Sequence, residues 1–500
     1  MMVQVLFPLG LSGSLSYSVP EAMGPLIKPG VQVTAPIARR NEVGVVTDIT
    51  AATDPSEEKT LKEIVRVEES LPVITPQALA LWQQIGAYYL TPIGVVAKMA
   101  LPSWRFKRRS AGTVLEAPAP LVPGKPIVFQ AHNPIDFYHR QLLEQIVAGR
   151  QCLLLCASAG ACDLLYDRLS ARLQIPVYCY HSQRSLKELN AARKDLYAGV
   201  PCAVIGMQRA LFLPFTRAGL VMVDKEQEPA HKITDSAPRM HTTEAALFFA
   251  QIYGAQVILN CETLSLETLY NIEQQKFVRE GGPSPARRIT VENPYKTAEY
   301  IKQLQQQGKT VWEYDPATCR PAQLYGLESG TADAVVIHRS EELLSKKGFR
   351  ATELAWRLID YASYLCPLVI VETTDRNDNF FRAAEQLFPL SFANQLLQER
   401  QQYHYPPYTR LIALTLRHRS QSAARDAAAQ WQELLENQHF PFEIFGPYPV
   451  NEAGSLLFSE QFLLSLPRNI NSRTVKERLE LLMHRMPGGP GQIQVDVDPL

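Results

Sequence analysis

The chain has 500 residues, of which 46% are hydrophobic and 20% are charged, so we expect three or four soluble globular domains and no membrane-spanning segment. Lys plus Arg equals Asp plus Glu at 50 each, so net charge gives no indication of nucleic-acid binding, which would depend on local basic patches. Eight cysteines without a CxxC pair argue against a disulfide framework and against a zinc site, and they favour a reducing cytoplasm.

The N-terminal part alternates in short β-like runs over residues 3–67, punctuated by Gly and Pro, which predicts a small β-barrel or sheet. Thr75 followed by Pro76 predicts the start of a helix. A basic segment then interleaves four cations with two aromatic residues. These cations are Arg105, Lys107, Arg108 and Arg109. They are candidates to follow a phosphate backbone while the aromatic rings stack on a base; the alternative is a solvated linker.

From residue 127 onward the pattern predicts α/β architecture. Six short apolar runs between 127 and 260 alternate with helical segments, which is typical of one doubly wound domain. A second, smaller α/β lobe follows, and the last hundred residues show the order β-α-β-β-α-β of a ferredoxin-like domain. The predicted division is 1–105 for a β-rich domain, 106–126 for a basic and Pro-rich linker, 127–285 and 286–398 for the two α/β lobes, and 399–500 for a C-terminal α+β domain.

One predicted strand ends in an acid. Leu220 to Val223 is followed by Asp224, and the carboxyl ends of parallel strands are where α/β sheets bind ligands. In a nucleotide hydrolase such an acid holds Mg²⁺ and a catalytic Glu follows it. Here the next residues are Lys225, Glu226 and Gln227, so a cation replaces the base.

Several blocks in co-linear order resemble the primosomal protein N′ family, the PriA replication-restart helicases of bacteria. The blocks are Trp82 to Pro102, IGMQRALFLPFTRAGLVMVDKEQ (205–227), NCETLSLETL (260–269), FRATELAWRL (349–358), QLLQERQQYHYPPYTRL (395–411) and DVDP (496–499). The resemblance implies a 3′ DNA-end-binding β domain at the N-terminus and two superfamily-2 helicase-like lobes.

The departures from the family concern its ATPase. At the position of the phosphate loop the chain reads FQAHNPIDFYHR (129–140), without Gly, Lys, Ser or Thr. A phosphate cradle needs glycine N–H groups, a Lys for the phosphates and a hydroxyl for Mg²⁺. The arginine-finger block aligns with DYASYLCP (360–367), which has no Arg, and the family's zinc-binding insertion is missing. We therefore predict a degenerate nucleotide site at 224–227, an inactive helicase, no catalytic residues, and neither cofactor nor metal.

The resemblance also implies candidate DNA contacts. Where the family holds the terminal nucleotide with an FDY triplet, a Gly and a Lys, this chain aligns Leu15-Ser16-Tyr17, Ala38 and Lys62. Tyr17 is a candidate to pack on a base or sugar and Lys62 to pair with phosphate; the alternatives are a half-buried strand residue and a surface charge. Two neighbouring cations (Arg39 and Arg40) and the cation of the IGMQR loop (Arg209) complete the candidate set. His181 and His241, at a strand end and a helix start, are expected to be structural.

Three functions remain open at this point. The first is a member of the family that binds forked, branched or single-stranded DNA and acts with primosome proteins in replication, recombination and repair, without ATP-driven unwinding. The second is a protein-interaction scaffold derived from the helicase. The third is an active 3′-5′ helicase with divergent motifs.

Overall fold

The computed structural model describes residues 1–11, 13–50, 61–101, 123–282, 287–319, 321–325, 330, 332–345, 348–450, 457–470, 472–485 and 493–499. Four sheets organise these residues, in the order β-rich domain, two α/β lobes and α+β domain. This confirms the predicted multidomain α/β class. No helix within the described ranges has the length and apolarity needed to cross a bilayer.

The N-terminal domain is an antiparallel five-stranded sheet with two helices. Its elements are β1 (Met2–Leu6), β2 (Leu15–Ser18), a 3-10 helix (Glu21–Leu26), β3 (Gln32–Ile37), β4 (Arg40–Thr50), β5 (Arg66–Val67), α1 (Pro76–Tyr88) and α2 (Ile93–Ala100). The strand order is β2-β1-β4-β3-β5. The Thr75 side chain accepts a hydrogen bond from the Ala78 N–H at 3.2 Å, which confirms the predicted helix start. Trp82 and Ile85 of α1 are buried.

The first α/β lobe contains a parallel seven-stranded sheet. Its elements are β6 (Ile127–Gln130), α3 (Ile135–Val147), β7 (Gln151–Leu155), α4 (Ala159–Ser170), β8 (Val177–Tyr180), α5 (Leu186–Tyr197), β9 (Ala203–Gly206), a 3-10 helix (Gln208–Phe212), β10 (Ala218–Val223), a 3-10 helix (Pro229–His231), α6 (Thr242–Tyr253), β11 (Gln256–Cys261), α7 (Leu266–Glu273) and β12 (Val278–Gly281). The strand order is β12-β6-β11-β10-β7-β9-β8. The central strands are buried on both faces, as expected for continuous apolar runs.

The second lobe is smaller. Its elements are β13 (Arg288–Glu292), α8 (Pro294–Gln306), β14 (Val311–Tyr314), α9 (Pro321–Tyr325), β15 (Ala334–Ile337), α10 (Glu341–Leu344), α11 (Ala351–Leu365), β16 (Leu368–Glu372), α12 (Asn379–Glu385) and α13 (Leu390–Gln402). The four strands are parallel in the order β13-β16-β15-β14. Helix α11 is buried along almost its whole length, because it packs between this sheet and the first lobe.

The C-terminal domain has the predicted β-α-β-β-α-β order. Its elements are β17 (Thr409–His418), α14 (Gln421–Glu436), β18 (Glu443–Val450), β19 (Phe458–Pro467), α15 (Ser472–Arg485) and β20 (Ile493–Val497). The antiparallel order β18-β19-β17-β20 is the ferredoxin-like arrangement, which confirms the prediction for this segment.

Candidate functional site: the cleft between the lobes and the N-terminal sheet

The cleft between the lobes lies at the carboxyl edge of the first lobe's sheet. Strand β11 lies between β6 and β10 in this sheet, so the residues that follow these three strands are neighbours. They are His132 after β6, Glu262 after β11 and Asp224-Lys225 after β10. This is the edge where the sequence predicts a degenerate nucleotide site.

Glu262 is the centre of this edge. Its side chain is fully buried, and its carboxylate contacts Lys225 Nζ at 3.4 Å and His132 Nδ1 at 3.1 Å. The Gln227 side-chain amide donates to its second oxygen at 2.6 Å. A buried carboxylate is stable only when it is paired and hydrogen-bonded, and here three side chains from two different loops satisfy it.

Asp224 is also fully engaged. The Tyr138 hydroxyl, on helix α3, donates to its carboxylate at 2.8 Å, and both side chains are buried. Burial raises the pKa of Asp224. The His231 Nε2–H donates to the Asp224 carbonyl at 2.8 Å, and burial lowers the pKa of His231 to about 4. The carboxylate that would face a metal ion is therefore turned towards a tyrosine of its own lobe.

Helix α11 of the second lobe closes the cleft from the other side. The Tyr361 hydroxyl lies 3.2 Å from Lys225 Nζ, and the Tyr364 hydroxyl donates to the Glu262 carbonyl at 3.0 Å. The Tyr364 ring stacks on His132 with 5.3 Å between ring centroids. Asp360 accepts a hydrogen bond from Thr263 and pairs with Arg287 at 2.8 Å. The segment aligned with the arginine finger thus supplies tyrosines and an acid.

A second buried cluster holds the same two lobes together. Glu353 of α11 is 1% exposed, pairs with Arg400 of α13 at 2.6 Å, and accepts from the Leu266 N–H of the first lobe at 3.1 Å. Arg350 pairs with Glu267 at 2.7 Å. Arginines around it lower the pKa of Glu353 to about 2, against the opposing effect of its burial. Because each charge has a partner, this cluster fixes the position of one lobe on the other.

In the N-terminal sheet, Tyr17 lies in the core. It is 3% exposed, packs edge-on against Phe7 with centroids 5.8 Å apart, and donates its hydroxyl to the Pro36 carbonyl at 2.9 Å. Its ring is therefore covered by protein and is not available to stack on a base, which contradicts the first of the two interpretations and agrees with the alternative of a strand residue. Its hydroxyl instead holds the end of β3, just before the β3–β4 turn.

That turn carries the two candidate arginines. Arg39 and Arg40 are exposed, and Arg40 pairs with Glu42 at 2.8 Å. Ala38, at the position where the resemblance implies a Gly in the family, has φ +51°, a left-handed conformation that favours glycine. The turn therefore keeps the backbone shape that a Gly would give, and it presents Arg39 to solvent.

The other candidates lie apart from this turn. Lys62 is exposed beside the end of β2, where its carbonyl accepts from the Ser18 N–H at 3.0 Å. Arg209 is exposed after β9 and lines a 130 Å³ cavity between the first lobe and helices α1 and α2, together with Arg193 and Leu101. Arg105, Lys107, Arg108 and Arg109 lie outside the described residues.

Sequence reasoning did not identify four residues of the cleft: His132, Glu262, Tyr361 and Tyr364. Glu262 lies inside the quoted block 260–269 and Tyr361 and Tyr364 inside 360–367. The quoted blocks thus contain these residues, but the sequence did not indicate the contacts of their side chains.

Comparisons with known proteins point to one family. Residues 4–102 match the family model described as a 3′ DNA-binding domain, and residues 401–500 match the model of the primosomal protein N C-terminal domain. The replication restart protein PriA of Rickettsia felis is 24% identical over 299 residues, which cover 55% of this chain and 44% of the relative. PriA of Rickettsia conorii is 22% identical over 320 residues, covering 59% and 46%. The chain thus spans about half the length of these relatives.

Similarity to solved structures is low. A structure of RecG bound to a three-way DNA junction has a TM-score of 0.36 and 12% identity, covering 65% of this chain and 50% of that chain. A crystal structure of the DUF1998 helicase MrfA has a TM-score of 0.35 and 14% identity, covering 53% and 49%.

Proposed function

We propose that the chain, as a member of the primosomal protein N′ (PriA) family, is a cytoplasmic protein that binds forked or branched DNA in replication restart without ATP-driven unwinding. The observation that carries this proposal is the Glu262 network. Its members occupy the edge of the sheet where an active helicase binds the phosphates, and they satisfy one another there.

The chemistry of the residues present supports the proposed loss of hydrolysis. A general base contributes about 10²–10⁴ in rate and an arginine finger about 10³–10⁵. By the resemblance, Lys225 stands at the position of the base, and residues 360–367 stand where the family has its arginine finger. Lys225 also contacts Glu262 and Tyr361, so it is already engaged and does not replace the lysine with which a phosphate loop binds the phosphates.

DNA binding is supported by the match of residues 4–102 to the 3′ DNA-binding domain. We assign phosphate contacts to Arg39, Lys62 and Arg209, which are exposed, and extend them to the basic segment 105–109. Arg40 contributes when it leaves Glu42, and Tyr17 acts only by positioning the β3–β4 turn. Primosome proteins are the proposed partners of the DNA-bound chain.

The test is binding of a fluorescent fork with a free 3′ leading-strand end, measured across a salt series with and without ATP. We expect tight, salt-dependent binding that ATP does not change. Arg39→Ala is expected to weaken binding on forks of any sequence and to reduce the slope of log K against log salt by about 0.9, the value for one phosphate contact. Lys28→Ala, an exposed cation of the same domain outside the candidate set, is the matched control.

The protein scaffold is the second candidate function, favoured by the burial of Tyr17 and the Arg40–Glu42 pair, which leave fewer groups for a 3′ end. Absence of salt-dependent fork binding would reject the DNA-binding proposal in favour of the scaffold. DNA-stimulated ATP hydrolysis that Asp224→Ala abolishes would reject both and establish an active helicase.

A further inference from the structure

Three potential metal-binding side chains converge in the first lobe, on the side of the sheet away from β6. Cys179 lies on β8, and His181, two residues after Cys179, directly follows the end of that strand. Alternate residues of an extended segment point to the same side. Both side chains reach the carboxylate of Asp163, which lies on helix α4.

The distances between the donor atoms are close to those around a tetrahedral zinc ion. Asp163 Oδ1 lies 2.9 Å from His181 Nε2 and 3.5 Å from Cys179 Sγ, and all three donor atoms lie within 4.8 Å of one another. A zinc ion with Zn–S of about 2.3 Å and Zn–N or Zn–O of about 2.0–2.1 Å places its ligand atoms about 3.3–3.6 Å apart. Small side-chain movements are therefore enough to form the site.

We propose that Asp163, Cys179 and His181 bind one zinc ion. Thiolate and imidazole donors favour zinc over magnesium or calcium, which prefer oxygen ligands. Cys179 and His181 are buried, whereas the Asp163 side chain is 41% exposed. The site thus opens to solvent on the Asp163 side, which leaves a fourth position for water. The sequence argued against a zinc site because it has no CxxC pair. These three donors are instead brought together by the tertiary structure, which a search for local spacing does not detect.

Arg184 covers the cluster. Its guanidinium contacts Asp163, and its Nε lies 3.4 Å from His181 Nε2. Arg184 has a second acid within reach, because its Nη1 lies 3.7 Å from Glu188 one helical turn along the chain. Zinc binding would exchange one cation for another on Asp163, and Arg184 would move to Glu188. Arg184 is accordingly a competitor of the metal.

The test uses the full chain, stripped of metal with a chelator and titrated with Zn²⁺ and separately with Co²⁺. We expect one equivalent of Zn²⁺, a rise in Tm, and with Co²⁺ a thiolate charge-transfer absorption. Cys179→Ser and His181→Gln remove a ligand and should weaken zinc binding by about 100-fold or more, since even outer partners of metal sites contribute about 10–100-fold.

Arg184→Ala gives the sharper result because it leaves all three ligands in place. We expect it to bind zinc more tightly than the unmodified chain, since the competing cation is gone. Cys319→Ser removes a partly exposed thiol of the second lobe and should leave zinc binding unchanged. Less than one equivalent of Zn²⁺, equal binding by Cys179→Ser, or weaker binding by Arg184→Ala would each overturn the proposal. None of these outcomes bears on DNA binding.

Discussion

Replacing Lys225 with Met should destabilise the contact between the two lobes. Lys225 Nζ lies 3.4 Å from Glu262, whose side chain is fully buried. With an effective dielectric constant of about 20, a pair at this distance is worth about 5 kcal/mol. Part of this lost pairing energy is offset because the lysine no longer has to be desolvated in the folded state. Breaking a buried pair by removing one partner typically costs about 3–5 kcal/mol, and we expect a loss near the lower value because His132 and Gln227 still contact Glu262.

The assay is guanidinium-induced unfolding, with hydrogen exchange of residues 351–365 as a local measure, because a chain of several domains does not unfold in a single step. The control is Lys276→Met, an exposed lysine of the same lobe, which should change the free energy of unfolding by less than about 0.5 kcal/mol. The double variant Lys225→Met with Glu262→Met should be less destabilised than the sum of the single variants, by about 0.5–3 kcal/mol. A Lys225→Met protein as stable as its control, with unchanged exchange in α11, would refute this account of the cleft.

Three further predictions concern other parts of the chain. Burial lowers the pKa of Lys476 to about 7 from its ordinary value of 10.5. The unfolded chain therefore binds more protons than the folded chain between pH 7 and about 10, and the free energy of unfolding should rise with pH across this window. Lys476→Met should remove this rise, as measured by melting temperatures in a pH series. Ala38→Gly should stabilise the N-terminal domain by about 1 kcal/mol in thermal unfolding, because Ala38 has φ +51°; an unchanged or lower Tm would contradict this. Gly94→Ala should lower the free energy of unfolding by more than about 3 kcal/mol in the same assay, because a Cβ there would lie 1.9 Å from the Leu9 carbonyl oxygen. An unchanged Tm would show that the backbone moves to accommodate the methyl group.

The elements that the sequence predicted well are those with a strong local pattern. The helix after Thr75, the six apolar strands of the first lobe and the order of the C-terminal domain all follow from periodicity and turn residues. Two strands were missed. Strand β12, VREG, is exposed at the sheet edge and has no apolar alternation. Strand β13, RITVE, is an edge strand of the second lobe's sheet and follows residues rich in Gly and Pro. Strand β12 lacks the apolar pattern on which the prediction depended, whereas β13 carries it over only five residues.

The site was harder to predict because its contacts depend on strand order. Glu262 bridges His132 and Lys225 only because β11 is inserted between β6 and β10, and nothing local in the sequence specifies that order. Tyr17 shows a different limit. An alternating pattern indicates that one face of a strand is buried, but in a small sheet it does not indicate which partner covers a given ring.

The charge balance of the cleft explains why ATP should leave fork binding unchanged. Active helicases neutralise the phosphates with a lysine, Mg²⁺ and an arginine finger. Here Lys225 already neutralises Glu262, and Arg287 neutralises Asp360. A triphosphate would therefore bring several uncompensated negative charges next to two carboxylates and could bind only by breaking pairs that hold the lobes together. If Lys225→Met loosens α11 as expected, fork binding by that variant should still be indifferent to ATP. A response to ATP in the variant alone would contradict this charge argument.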